Sequence, residues 1–192
     1  GGITTVVDMP LNCIPLTTSA EAFQTKLASI GSQLSVDCGF WGGITRDNLS
    51  ELPKLLESGV LGCKSFLIDS GIEEFSPVQW QQVDEAMPML AARNMPYLFH
   101  AELAPPNHQD LNPPLSSYQQ FEASRPESWE TNAIRGIIAA AQKHDAHAHI
   151  VHLAASSALE DIAAARRAGV KITAETCSHY LTFNSQQIDA TK

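Results

Sequence analysis

Pro96-Tyr97-Leu98-Phe99-His100-Ala101-Glu102 is an apolar run that ends on a histidine, with a carboxylate two residues further on. It reads as a buried strand. A parallel strand that delivers a histidine at its C-terminal end is how an α/β barrel furnishes a site at its mouth. Two other stretches have the same form. Gly62-Cys63-Lys64-Ser65-Phe66-Leu67-Ile68 sets a lysine inside a mostly apolar strand, and His149-Ile150-Val151-His152-Leu153-Ala154 carries a second histidine near its end. Together these strands predict a metal site shared by Lys64, His100 and His152.

The surrounding chain repeats one unit. Ile3-Thr4-Thr5-Val6-Val7-Asp8-Met9 is rich in β-branched residues and is stopped by Pro10, so it reads as a strand running into a loop. Thr18-x-x-Glu21 has the pattern of a capping box, ahead of Phe23, Leu27 and Ile30 at helical spacing and Gly31 as a stop. Residues 35–41 read as the next strand, and Leu49, Leu52, Leu55 and Leu56 as a helix closed by Gly59. After the lysine strand, Ser76-Pro77-Val78-Gln79 offers a cap, a first-turn proline and a capping partner to a helix carrying Val83, Met87 and Leu90. Beyond Glu102, Trp129, Ala133, Ile134, Ile137, Ile138 and Ala141 draw another helical stripe. Ser157-x-x-Glu160 is expected to cap a helix with Leu159 and Ile162 that closes at Gly169, and residues 170–177 read as the sixth strand.

Strands alternating with single amphipathic helices imply a parallel sheet with right-handed crossovers. An open doubly wound sheet would place a glycine-rich phosphate turn after its first strand, but Met9-Pro10-Leu11-Asn12 stands there. The expected fold is therefore an α/β (β/α)8 barrel. A whole barrel has eight strands and runs to about 250 residues. Six strands in 192 residues, opening on Gly1-Gly2 and stopping at Lys192 just after a helix start, predict that residues 1–192 are the central part of one barrel domain, strands two to seven. The connection from Glu102 to Trp129, with Pro105, Pro106, Pro113, Pro114 and Pro126, is longer than an ordinary βα loop. It reads either as a cover over the barrel mouth that selects substrate or as a plain surface insertion.

Composition narrows the class of function. A net charge of −9, with Arg166-Arg167 the only basic doublet, argues against nucleic acid. No run reaches membrane-spanning length and there is no signal-peptide pattern at the start, so a soluble, cytoplasmic protein is expected. Cys13, Cys38, Cys63 and Cys177 have no CxxC spacing and read as buried free thiols in a reducing compartment.

A lysine inside a buried strand carries a heavy desolvation cost, so it must be paired, deprotonated or modified. Three explanations compete for Lys64: a Schiff-base nucleophile, a carbamylated bridge between two metals, and a structural ion pair. One histidine on an apolar segment is usually a satisfied core residue. Two at the ends of neighbouring strands favour metal, since a Schiff-base site needs no histidine ligands. His108 and His144 fall in polar surroundings and are expected to face solvent. His147 and His149 lie nearer the start of the strand that carries His152, at a barrel's stability end, and His179 is a candidate pocket residue.

Several of these stretches carry a family resemblance. Gly1-Gly2-Ile3-Thr4-Thr5-Val6-Val7-Asp8-Met9-Pro10-Leu11-Asn12, Phe40-Trp41-Gly42-Gly43, Gly62-Cys63-Lys64-Ser65-Phe66-Leu67, Leu98-Phe99-His100-Ala101-Glu102-Leu103, Val151-His152-Leu153-Ala154 and Glu175-Thr176-Cys177-Ser178-His179-Tyr180 resemble the cyclic amidohydrolases, within them the allantoinases, over essentially the whole chain. The resemblance implies that Lys64 is carboxylated by CO2 and bridges two divalent metal ions, taken as zinc, and that His100 and His152 are further ligands. It also implies hydrolysis of allantoin to allantoate by a homo-oligomer, a tetramer. The family's His-x-His pair on strand one and its acid/base aspartate on strand eight have no counterpart here. No catalytic residue is therefore expected within this chain, and the aspartate is expected beyond Lys192. His147-Ala148-His149 has the right spelling, but it stands on the strand that already supplies His152 and is rejected as a substitute. Asn12 lies near where related enzymes contact substrate, with Leu11 as an extra residue. The alternatives are a dihydropyrimidinase- or dihydroorotase-like hydrolase, a non-catalytic scaffold on the same barrel, and a Schiff-base aldolase using Lys64.

Overall fold

The computed structural model of the protein describes residues 2–105 and 117–188. His108, Pro106, Pro113, Pro114 and Lys192 lie outside the described residues. Among the described residues seven short strands are formed: β1 (Thr5–Asp8), β2 (Asp37–Phe40), β3 (Gly42–Gly43), β4 (Cys63–Phe66), β5 (Tyr97–His100), β6 (Ala148–Ile150) and β7 (Ile172–Ala174). The helices among them are α1 (Ala20–Ile30), α2 (Leu52–Glu57), α3 (Trp80–Ala91), α4 (Tyr118–Ser124), α5 (Glu127–His144) and α6 (Leu159–Arg167).

Every strand pairing is parallel: β1 with β2, and β3 to β7 in sequence order. The strand expected over residues 35–41 breaks at Trp41. Up to there it faces β1, and the Trp41 N–H still donates to the Asp8 carbonyl at 2.9 Å. Past Trp41, beyond the expected range, the chain continues as β3 and turns to β4, where the Gly42 N–H donates to the Gly62 carbonyl at 2.9 Å. The two glycines allow this close packing. A Cβ at Gly42 would lie 2.9 Å from Leu55 Cδ2, and one at Gly43 2.6 Å from Phe75 Cε2.

Alternation along the strands separates two faces. One face, with Cys63, Tyr97, Phe99, Ala148, Ile150 and Ile172, packs into a core with Leu55, Val83, Met87, Leu90, Ile134 and Ile137 of the covering helices. Burying each of these large apolar side chains is worth about 1.5–3 kcal/mol. Tyr97 is fully buried, and its hydroxyl is matched by Ser65 Oγ at 2.7 Å. The other face carries the chemistry. The register lines Gly43, Lys64, Leu98, His149 and Thr173 across five strands, with Phe66 and His100 paired two residues nearer the C-terminal ends.

Several local expectations are corrected. Ser19, not Thr18, caps α1, accepting from the Ala22 N–H at 3.1 Å; the Thr18 carbonyl is held by Asn48 Nδ2 at 2.8 Å. Ser76 does not cap α3. Its hydroxyl accepts from the Arg46 N–H, and Gln79 forms the capping box with Gln82. Ser157 lies in a short 3-10 turn, Ser156–Ala158, ahead of α6, and Leu159 is 56% exposed. Residues 118–124 of the long connection form a helix, α4. All four cysteines are free as expected, but only Cys63 is buried. His144 is mostly covered rather than solvent-facing, with Nε2 at 2.8 Å from Asp84 Oδ1. No described helix is long and apolar enough to cross a membrane.

Candidate metal centre

The β4 register puts Lys64 on the chemistry-bearing face, where it is only 5% exposed. Its Nζ lies 4.6 Å from the Phe66 ring centroid, and His100 stacks on that same ring at 4.5 Å and 18°. His100 is the last residue of β5, and its Nδ1 stands 3.0 Å from His152 Nε2. The opposite nitrogen, Nε2, faces Glu102 Oε2 at 3.1 Å. Arg125 Nη1 in turn donates to both oxygens of Glu102, at 2.9 and 3.1 Å. This is a carboxylate–histidine arrangement: Glu102 accepts a hydrogen bond from the His100 Nε2–H, which leaves a lone pair on Nδ1 directed at His152.

His152 follows β6 with φ at 43°, a left-handed conformation that costs a residue with a Cβ about 1–3 kcal/mol. Hydrogen bonds hold the chain after it. The Leu153 N–H donates to the Glu175 carbonyl at 2.7 Å, and the Ala154 and Ala155 N–H groups donate to the two carboxylate oxygens of Glu130 at 3.0 and 2.7 Å. Ser157 donates through N and Oγ to Glu127 Oε1 at 3.0 and 2.7 Å. A cavity of about 530 Å³ opens between this turn and the helices, lined by His100, Glu102, Arg125, Trp129, Glu130 and Tyr180 among others.

Burial pushes the Lys64 ammonium down to about 8, opposed in part by the charge of Glu175. Burial, then the neighbouring His100 and Lys64, push His152 down to about 4, so its imidazole is neutral at neutral pH. The hydrogen bond from His100 holds the Glu102 carboxyl below its usual value, with the Arg125 charge assisting against burial. Among the described residues no cluster of three His, Cys, Asp or Glu side chains could hold a metal. The candidate set is two histidines whose ring nitrogens converge and a lysine with a readily deprotonated amine. This donor chemistry fits a carbamate-bridged metal site.

The remaining singled-out residues lie elsewhere or are otherwise engaged. His147 Nε2 and His149 Nδ1 both meet the Thr173 hydroxyl, at 2.9 and 2.7 Å. His179 is exposed, edge-on to Tyr180 at 4.5 Å. Asn12, with φ at 60°, lines a separate cavity beside Ile72 and Glu74. Sequence reasoning did not assign roles to Glu102, Arg125, Glu127 or Glu130. Glu102 was signalled by its place two residues after His100; Glu127 and Glu130 look like ordinary acidic residues in a first helical turn.

The fold is that of part of a (β/α)8 amidohydrolase barrel. The L-hydantoinase (dihydropyrimidinase) from Arthrobacter aurescens matches with a TM-score of 0.87 at 26% identity, covering 97% of this chain and 42% of that chain. The dihydropyrimidinase from Brevibacillus agri shares the fold, with a TM-score of 0.82 at 23% identity over 97% of this chain and 41% of that chain. In sequence, the chain is 45% identical to an allantoinase of Saccharomyces cerevisiae over 98% of its length and 42% of that relative's. It is 41% identical to an allantoinase of Arabidopsis thaliana over 98% of its length and 40% of that relative's. Over nearly its whole length the chain is thus similar in sequence to allantoinases and in fold to part of a hydantoinase (dihydropyrimidinase). No family model matches the chain. It spans about two-fifths of the length of the curated relatives it matches.

Proposed function

We propose that residues 1–192 are the central part of a single barrel domain, and that the whole protein hydrolyses allantoin to allantoate. The observation that carries this reading is the 45% identity to the yeast allantoinase across 98% of the chain. In this reading Lys64, His100 and His152 are the chain's contribution to a binuclear site. Deprotonated Lys64, accessible because burial holds its pKa near 8, attacks CO2 and loses a proton, turning a buried cation into an anionic carbamate with two oxygen donors. His100 and His152 supply neutral nitrogens, and Glu102 keeps the Nε2 proton of His100 away from the metal side. Two divalent ions, taken as zinc, would lower the pKa of a bound water towards neutrality and polarise the ring carbonyl. Hydrolysis adds water across one ring amide, breaking its C–N bond to give a carboxylate and a ureido group. The acid/base aspartate and the His-x-His pair belong to the rest of the barrel. By resemblance the assembly is a homotetramer acting on a small molecule, with no nucleic acid or membrane partner. The cytoplasm is the compartment proposed, although a relative from Aquarana catesbeiana, 42% identical, bears the name "Allantoinase, mitochondrial".

A second reading, a hydantoinase or dihydropyrimidinase, is favoured by the TM-score of 0.87 with the Arthrobacter enzyme. The two separate on substrate preference. With allantoin, hydantoin and dihydrouracil offered to the whole protein, kcat/KM is expected to be highest for allantoin, by about 100-fold or more. A preference for dihydrouracil would move the assignment to the second reading.

A further inference from the structure

We infer that Glu130 is a positioning residue for His152: its carboxylate clamps the turn that aims this imidazole at His100. The inference rests on the reading of His152 as a ligand. A left-handed residue with a Cβ persists only where its surroundings over-determine it. At His152, with φ at 43°, the constraint on the strand side is the Val151 N–H donating to the Phe99 carbonyl at 3.3 Å. On the loop side, Leu153 is tied to β7 through the Glu175 carbonyl, and the next two N–H groups, of Ala154 and Ala155, converge on Glu130. Glu130 projects from the first turn of α5, a helix anchored in the core through Trp129, Ala133, Ile134 and Ile137. The carboxylate is thus a rigid fork held by the scaffold, with one oxygen per N–H. Glu127 makes a similar bond to Ser157, five residues past His152 and with a side-chain hydroxyl as one partner. Of the two carboxylates, Glu130 is the one that bonds the backbone two and three residues past His152.

The amide of Glu130→Gln keeps one acceptor but sets an NH2 group against the second N–H, so one bond is lost and a donor faces a donor. Glu130→Asp keeps the charge and shortens the reach. Glu127→Gln is the matched control on the same helix. The whole protein carrying each change is compared by hydrogen exchange of segment 152–157 in the metal-free state and by zinc titration, with circular dichroism as the check on folding. For Glu130→Gln and Glu130→Asp the expected result is faster exchange confined to that segment and a 10- to 100-fold loss of zinc affinity. Glu127→Gln is expected to leave zinc affinity within about twofold, as a group outside the ligand's hydrogen-bond network should. Unchanged exchange in both Glu130 variants, or an equal loss of zinc affinity in Glu127→Gln, would overturn the role. If the unsubstituted protein takes up no zinc, the metal-centre reading fails, and the exchange experiment alone still decides whether Glu130 holds the His152 turn.

Discussion

Arg125 and Glu102 illustrate how magnitudes rank the residues behind His100. Glu102 touches His100 directly, 17% exposed at its side chain, while Arg125 is half exposed. Removing a carboxylate that orients a metal-binding histidine costs about 10–100-fold in metal affinity. A half-exposed ion pair contributes at most about 1 kcal/mol, roughly fivefold. Glu102→Gln is therefore expected to lose far more zinc affinity than Arg125→Met in the whole protein, and equal losses would contradict this order. The proposed ligands Lys64, His100 and His152 were legible in the sequence because a lysine or histidine inside an apolar run conflicts with burial unless it has a partner or a function. Glu130 was not, since a carboxylate in a first helical turn is favourable wherever it occurs, and its partners lie 24 and 25 residues away.

Among the elements, β4 and β5 approach so closely that Gly62 has no room for a side chain. A Cβ there would stand 2.4 Å from the Pro96 carbonyl oxygen, a backbone atom that cannot swing aside. Gly62→Ala is expected to destabilise by about 1–3 kcal/mol in urea unfolding, the cost of overpacking, and a change within error would contradict the close approach. Helices α3 and α5 are strapped by Asp84, which pairs with His144 at 2.8 Å and Lys143 at 2.9 Å. The hydrogen bond from His144, then that from Lys143, holds the Asp84 carboxyl below its ordinary 3.8. Because the folded value is the lower one, this stabilisation is present above pH 3.8 and is lost as pH falls through the folded pKa. Asp84→Asn should flatten the acid limb of the stability profile below about pH 4, and an unchanged limb would show that the strap contributes nothing. Helices with an apolar stripe were readable: α5 buries Trp129, Ala133, Ile134, Ile137 and Ala141 as its spacing required. α4 was missed because it buries no residue, leaving only the Ser117 cap to mark it. The cap positions at Thr18, Ser76 and Ser157 failed for a different reason. Their groups are taken up by partners on other elements, Asn48, Arg46 and Glu127, that local pattern cannot foresee.

Across the whole molecule, six expected strands and their parallel order were legible because each βα unit repeats the same two periodicities. The break between β2 and β3 at Trp41 was not, since it depends on how Gly42 and Gly43 meet Leu55 and Phe75. The run of strands ends on β1 and β7, each paired on one side only among the described residues. Near these edges Ile3, Val6 and Val7 are 68%, 38% and 37% exposed, and Leu181 and Phe183 are 80% and 77% exposed. Open edges with apolar neighbours invite association. Residues 1–192 alone are therefore expected to self-associate in sedimentation experiments, and a sharp, reversible, concentration-independent melt would contradict this. The central claim is a metal site built on Lys64, His100 and His152 in an allantoin-opening barrel. Its most direct test is metal content measured together with allantoin hydrolysis in the whole protein and in Lys64→Ala, each reconstituted with zinc in the presence and absence of bicarbonate. Two metals per chain with activity that depends on bicarbonate, both lost in Lys64→Ala, is the predicted result; a folded protein that is inactive and metal-free under every condition would contradict it.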